Sequence, residues 1–405
     1  MTTLPNLAFE DYTIKRARLA GSGLLTGDTP WFVPIDALRE QAERQGGRLL
    51  SFGNYDYLGL GDHPRVRAAA ADALAIHGAG VNGSRLVGGE RLFHAALERD
   101  LARFVGTEAA LTLVSGYLTN LSLIPHLVGA QDLVVMDELA HNSIVMGGKS
   151  GRAEVRSFRH NDLDHLDEVL TRFRAEKRYC LIAVESLYSM DGDYVDLPRL
   201  LAIKEKHAAW LMVDEAHSIG VMGGQGRGIC EHFGEDPQRI DMIIGTLSKT
   251  LVSSGGFICA RSKVIEWLRY TLPGFVYSVG LSPVIAATSH AALALIEADN
   301  GRTRRLQALS RHFLARAREA GLDTGSAMGI GIVPLLFKDI PTTMMVARAL
   351  GEAGIYAPPV VHVGVRADQP RIRFFISAAH TEADIDRVFE VVAAALAPAA
   401  VLADV

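Results

Sequence analysis

Residues 210–220 read WLMVDEAHSIG, and residues 243–251 read IIGTLSKTL. Each opens on a short apolar run, as a strand buried on both faces requires, and each leaves it on a residue that can do chemistry: Asp214 in one, Lys249 in the other. Working outward from these two, Trp210–Asp214 and Met242–Gly245, further β-rich runs lie at Leu111–Val114, Leu133–Asp137, Glu154–Phe158, Cys180–Glu185 and Gly256–Ala260. Between them, stretches such as Leu163–Arg174 and Leu197–His207 place apolar residues three or four apart, the period of a helix. Strands that alternate with helices predict an α/β fold, with a mostly parallel seven-stranded sheet covered on both faces. In such sheets ligands bind at the carboxyl ends of the strands, where Asp214 and Lys249 both fall.

A buried carboxylate at a strand end needs a cationic partner. A protonated pyridine nitrogen would serve, and Asp214 would then keep the ring an electron sink. The alternative is a helix-capping Asp beside a satisfied core histidine, His217. Lys249 is flanked by Thr246, Ser248 and the pair Gly255-Gly256. That setting suits a Schiff-base lysine, with hydroxyls and backbone amides receiving a phosphate; the alternative is a solvated surface lysine. VSGYLTN (114–120) reads as strand, small-residue turn and helix start, an anion site of the usual kind. MDELAHNSI (136–144) carries His141 on a loop after a strand, where it could stack on a planar ring. Singly these segments would be a turn and a core histidine; together they describe one site.

The remaining features set limits. The chain has 405 residues, 49% apolar and 21% charged, with a net charge of −5 and no basic block, so nucleic acid is not an expected partner. Cys180, Cys230 and Cys259 lie far apart and form no CxxC or Cys/His group, which indicates neither a disulfide framework nor a metal site and fits a reducing cytoplasm. The N-terminus has no apolar core of a signal peptide. Ala109–Ala130 is uncharged and as long as a membrane span, but Ser115, Gly116, Asn120, Pro125 and His126 favour a buried strand–turn–helix. No transmembrane segment is expected, and peripheral membrane association is left open. GAGVNG (78–83) matches GxGxxG but follows the helical run Arg65–His77 rather than a strand, so a nicotinamide site is rejected. A long helix at Ser282–Ile296 separates the strand-rich region from helical Thr303–Ala320, strand-like Ile332–Phe337, helical Thr342–Ala353, strand-like Arg371–Ser377 and helical Glu382–Leu396. The expected organisation is an N-terminal arm (1–50), a large domain (51–285) and a smaller C-terminal α/β domain (286–405).

From about Ser51 to the C-terminal helix the chain resembles the α-oxoamine synthases, fold-type I enzymes that use pyridoxal 5′-phosphate (PLP). NGSR (82–85), SGY (115–117), SMDGD (189–193), VDEAHSIG (213–220) and GTLSK (245–249) carry the resemblance. It implies that Lys249 holds PLP as a Schiff base, that Asp214 pairs with the pyridine nitrogen and that His141 stacks on the ring. His217 and Ser189 would approach the ring hydroxyl, Ser115, Gly116, Tyr117, Thr246 and Ser248 would surround the phosphate, and Arg373 would engage the substrate carboxylate. It further implies decarboxylative condensation of an amino acid with an acyl thioester, on coenzyme A or an acyl carrier protein, by a homodimer whose sites lie between subunits.

Within the family the chain looks most like the bacterial serine palmitoyltransferases. Tyr55, in GNYDYLGL (53–60), stands where the biotin-pathway and ketobutyrate enzymes usually carry Asn, and SFRHND (157–162) is similar to a palmitoyltransferase string. L-Serine and a long-chain acyl group are therefore the expected substrates, with 8-amino-7-oxononanoate synthase or 2-amino-3-ketobutyrate ligase as the alternatives. Two departures stand out. YSVGLSP (277–283) has Gly280 where the family usually has a Ser or Thr reaching the neighbouring subunit's phosphate, so either Ser278 or a backbone amide takes that part. Phe374 and Phe375 follow Arg373 where smaller polar residues are common, which either makes the acyl side more apolar or packs the small domain. An aminotransferase of the same fold is opposed by NGSR and SMDGD. An inert PLP-fold subunit is opposed by Lys249.

Overall fold

The structure is a computed structural model that describes residues 31–397 apart from 32, 45, 362–364 and 367, so most of the expected N-terminal arm lies outside the described residues. Twelve strands follow in chain order: β1 (Leu50–Ser51), β2 (Ala109–Leu113), β3 (Leu133–Asp137), β4 (Glu154–Phe158), β5 (Cys180–Glu185), β6 (Trp210–Asp214), β7 (Met242–Thr246), β8 (Gly256–Ala260), β9 (Ile332–Leu336), β10 (Ile355–Tyr356), β11 (Pro359–Val360) and β12 (Arg371–Phe375). Strands β2 to β8 form one seven-stranded sheet in the order β2-β8-β7-β6-β5-β3-β4. Only β8 runs against its neighbours, so the sheet is mostly parallel, as the seven sequence runs predict.

The apolar runs divide between two faces because side chains alternate along a strand. On β5, Cys180, Ile182 and Val184 join the core on one face, with Val213 and Ile243 of the neighbouring strands. Leu181 and Ala183 join the core on the other, with Met212 and Ile244. Each fully buried Val, Leu or Ile contributes about 1.5–3 kcal/mol, and these strands are buried almost throughout. Ala109–Ala130 resolves into β2 and the helix Gly116–Leu127, and among the described residues no helix is long and apolar enough to cross a membrane.

A three-stranded antiparallel sheet, β11-β12-β9, follows later in the chain, and β1 pairs with β10 in parallel. The loop after β5 joins this sheet to the large one. Arg371 donates to Asp191 (2.7 Å) and to the Met190 carbonyl (3.0 Å). Arg373 donates to the Ser189 carbonyl at 2.8 Å. SMDGD is thus the strap between the two sheets.

NGSR also has a packing role. Arg85 is buried, bonded to Glu98 and Glu90, and lies over the Phe275 ring at 5.0 Å. This arrangement accounts for Gly280: a Cβ there would meet Arg85 Cγ and His94 Cε1 at 2.9 Å each. The family's hydroxyl residue has no room at this position. Gly280→Ser is expected to cost about 1–3 kcal/mol by overpacking, read as a lower melting temperature. An unchanged melt would show that the Arg85 shell yields freely.

Candidate active site

A cavity of about 350 Å³ opens at the carboxyl ends of β5, β6 and β7, facing the start of the helix Gly116–Leu127. That volume suits a small-molecule cofactor or substrate. Each strand delivers one polar residue there: Glu185 from β5, Asp214 from β6 and Thr246 from β7. Lys249 follows on the tight loop after β7, which closes through Leu247 N–H to the Gly255 carbonyl (3.0 Å) and Ser253 N–H to the Leu247 carbonyl (2.9 Å).

One end of the cavity is built for an anion. Ser115 caps the helix, its hydroxyl accepting from Leu118 N–H at 3.3 Å. The amides of Gly116 and Tyr117 lie in the first turn, where no intrahelical acceptor exists. Thr246 and Ser248 hydroxyls stand 2.7 Å apart beside them. Gly116 permits this closeness, since a Cβ there would come within 2.9 Å of Thr246 Oγ1.

The other end is a set of coupled polar groups. Asp214 accepts from Ala216 N–H (2.9 Å) through one oxygen and from Asn120 Nδ2 (2.7 Å) through the other. Each oxygen keeps room for another donor, as a ring N–H requires. His141, the N-cap of the helix Asn142–Ser150, lies with its ring 6.2 Å from that of Tyr117. His217 Nδ1 is 2.7 Å from the Tyr57 hydroxyl, and burial, reinforced by Lys249 and Arg373, holds this imidazole well below the usual range, so it is neutral. Burial also lowers the Lys249 ammonium, with Arg373 acting in the same direction against Asp214 and Glu185; more of the free amine is present near neutrality than at a solvated lysine. Its Nζ lies 5.7 Å from the Tyr55 ring centre.

These residues fit PLP: an anion cradle, a carboxylate with spare acceptor capacity, a ring-facing histidine and an amine of lowered basicity, all lining one cavity. Of the residues singled out in the sequence, Tyr55, Ser115, Gly116, Tyr117, His141, Asp214, His217, Thr246, Ser248 and Lys249 line it together. Ser189 does not; its carbonyl anchors Arg373, and burial of the loop after β5 keeps it off the cavity wall. Arg373 does not line it either, its guanidinium 4.4 Å from the Phe375 ring centre and its Nη1 also within 3.3 Å of Met190 Sδ. Ser278 and Gly280 do not line this chain's cavity either: Gly280 is packed against Arg85, and Tyr277 and Val279 beside Ser278 are exposed. Phe374 joins Phe52 and Phe313 in the core, whereas Phe375 packs edge-on to Tyr55 at 4.7 Å.

Four further residues of this network were not singled out in the sequence: Tyr57, Asn120, Ser143 and Glu185. Glu185 is the cross-strand partner of Asp214, and burial followed by the Asp214 charge pushes its carboxyl up to about 8. Their signal was present but indirect: Tyr57 and Asn120 sit inside quoted motifs, and Glu185 ends a strand as Asp214 does. SFRHND, by contrast, has a structural part. His160 bonds Asp137 and Asp193 at 2.9 Å each, and Asn161 Nδ2 donates to Asp193 at 3.0 Å. None of the string lines the cavity.

Comparison with known proteins identifies the family. Residues 48–392 match the family of aminotransferases class I and II. The chain is 42% identical to the 8-amino-7-oxononanoate synthase of Methylobacterium radiotolerans, over 87% of this chain and 90% of the relative. It is 35% identical to the serine palmitoyltransferase of Bacteroides ovatus, over 90% of this chain and 92% of the relative. Among solved structures, a serine palmitoyltransferase from S. paucimobilis with PLP bound superposes with a TM-score of 0.83 at 30% identity, covering 89% of this chain and 96% of that one. The fold is that of the type I PLP transferases, and the chain belongs to the aminotransferase class I and II family, within it to the α-oxoamine synthases, PLP-dependent enzymes of the acyltransferase type.

Proposed function

We propose that this enzyme joins a small neutral L-amino acid to an acyl thioester and releases the amino acid's carboxylate as CO2. The observation that carries the reading is Lys249 in one cavity with Asp214 and His141. PLP bound there supplies an electron sink for negative charge at the amino acid's Cα. The protein's own groups do the rest. Lys249 would hold the cofactor and, freed when the amino acid binds, would take the proton from Cα. Asp214 would pair with the ring nitrogen, and His217 would lie toward the ring hydroxyl. The first-turn amides of Gly116 and Tyr117, with Ser115, Thr246 and Ser248, hold the phosphate. Arg373 takes the substrate carboxylate, its Nη1 fixed on Ser189. The Cα then bonds to the acyl carbon and the thiolate leaves; the carboxylate departs as CO2, and the electron pair it leaves at Cα takes a proton back from Lys249. The exposed Tyr277–Val279 segment would reach the phosphate site of a second copy in a homodimer, through Ser278 or the Gly280 amide.

Two amino donors divide the finer reading. Tyr55 at the mouth offers a hydroxyl to L-serine, and on it rests serine with a long-chain acyl thioester. The higher identity to 8-amino-7-oxononanoate synthases favours L-alanine with a pimeloyl thioester instead. A site that hydrogen-bonds a substrate hydroxyl can reject the analogue lacking it strongly. On the Tyr55 reading, L-serine is expected to exceed L-alanine and glycine by at least about tenfold in kcat/KM, about 1.4 kcal/mol. The measurement is CO2 release in competition, with palmitoyl and pimeloyl thioesters of coenzyme A and of carrier protein as donors. Alanine leading with the pimeloyl donor would assign the second reading, and no CO2 with any pair would overturn the reaction itself.

A further inference from the structure

The polar groups behind the cavity form a chain with a fixed direction. Asn120 Nδ2 lies 2.7 Å from Asp214 Oδ2 and 2.9 Å from Ser143 Oγ, and Ser143 Oγ lies 2.7 Å from His141 Nδ1. Asn120 and Ser143 are both about 1% exposed, so no bulk water competes. The amide orientation is settled by chemistry: turning it over would set a carbonyl oxygen 2.7 Å from a carboxylate oxygen, two acceptors facing each other. Asn120 therefore spends both N–H bonds, one on Asp214 and one on Ser143, and its Oδ1 is left without a donor. That orphan acceptor costs about 1–3 kcal/mol, which the paired bonds on the other side must outweigh.

The direction then passes along. Ser143 Oγ accepts from Asn120 and has one proton to give, and the next atom is His141 Nδ1. Ser143 N–H also points to Nδ1, at 3.3 Å. Two donors converge on one ring nitrogen, so Nδ1 cannot carry a proton. The backbone reinforces the placement, since Glu185 accepts from the His141 backbone N–H. The groups whose charges act on the imidazole, Asp214 against Lys249 and Arg373, together with burial, leave it below its ordinary range.

We infer that Ser143 and Asn120 are positioning residues that lock His141 as the Nε2–H tautomer and tie it to Asp214. His141 thus presents a hydrogen-bond donor, not an acceptor, toward the bound amino acid. Its Nε2–H can meet the substrate carboxylate and later the new carbonyl oxygen, whereas the other tautomer would offer a lone pair to both. Asn120 and Ser143 together link His141 to Asp214, so the two are aligned by one chain of side-chain hydrogen bonds. What the fixed tautomer does for turnover rests on the reaction proposed above; the tautomer itself does not.

The test is 15N NMR of histidine-labelled enzyme, with and without PLP and without any substrate, the His141 signals being assigned by their loss in His141→Gln. The expected result is a protonated Nε2 and an unprotonated Nδ1 in both forms. A protonated Nδ1 would overturn the inference whatever the reaction is. Ser143→Ala is expected to give a tautomer mixture and to lower kcat about tenfold, with PLP retention near the wild type and a lower melting temperature from the Asn120 N–H left without its acceptor. Asn120→Leu, which frees the Ser143 hydroxyl to rotate, is expected to give a mixture as well. The same single tautomer in both variants would remove them from this part, and the wild-type spectrum decides the matter if either variant fails to fold.

Discussion

Lys249→Ala is expected to abolish borohydride-stable attachment of the cofactor and to lower turnover by at least about ten-thousandfold, about 5.4 kcal/mol of transition-state stabilisation. Two separate losses combine in one substitution. On the proposed reading, the amine that would link cofactor to protein disappears, and with it the base assigned to Cα. Burial makes that base effective, because it lowers the Lys249 ammonium toward the operating range. Cofactor retention should fall far less than turnover, since the amide cradle at Gly116 and Tyr117, the Thr246 and Ser248 hydroxyls and Asp214 are untouched. The measurement pairs reduction, digestion and mass analysis with single-turnover kinetics. A pyridoxyl label recovered on another lysine of the reduced wild type would refute the assignment, as would a variant that turns over within tenfold of it.

The large sheet was legible because its strands are buried on both faces, and continuous apolar runs leave no doubt of period. The same logic pointed to Asp214, which ends an apolar strand, and to Lys249 on the loop just beyond one; both line the cavity. What could not be read is long-range. The β1–β10 pairing joins Leu50 to Ile355, two-residue strands with no pattern of their own. The Arg371–Asp191 tie depends on two loops meeting, and no local spacing records it. The helix Asn142–Ser150 has little local signal, because its sequence, NSIVMGGKS, holds two glycines and is capped by a histidine rather than by Ser, Thr, Asp or Asn. SFRHND, which by resemblance stands among the substrate signals, holds a histidine whose bonds serve the fold, and no local spacing records that.

That histidine carries the other large effect. His160 sits between Asp137 and Asp193, the first fully buried and the second nearly so, and it joins the end of β3 to the SMDGD strap. Burial alone would push its imidazole down; the bonds to the two carboxylates outweigh this and raise it to about 10. It is therefore an imidazolium at neutral pH, flanked by two acids. Its unfolded value is about 6.5, so the folded form holds the proton more tightly. The stabilisation is full below about pH 6.5 and is lost as pH rises through about 10. His160→Ala leaves two carboxylates facing each other with no cation, a loss of about 3–5 kcal/mol by analogy with other broken buried ion pairs. His160→Gln, which keeps hydrogen bonding but not charge, should recover part of that. Because Asp193 lies in the strap that also holds Arg371 and Arg373, the variants should raise KM for the amino acid more than they lower kcat. Chemical denaturation of wild type and His160→Ala at pH 7 and again above pH 10 measures the gap directly. It should narrow as the wild-type imidazole loses its proton, and a gap that stays constant across that range would show that His160 is held by packing and not by charge.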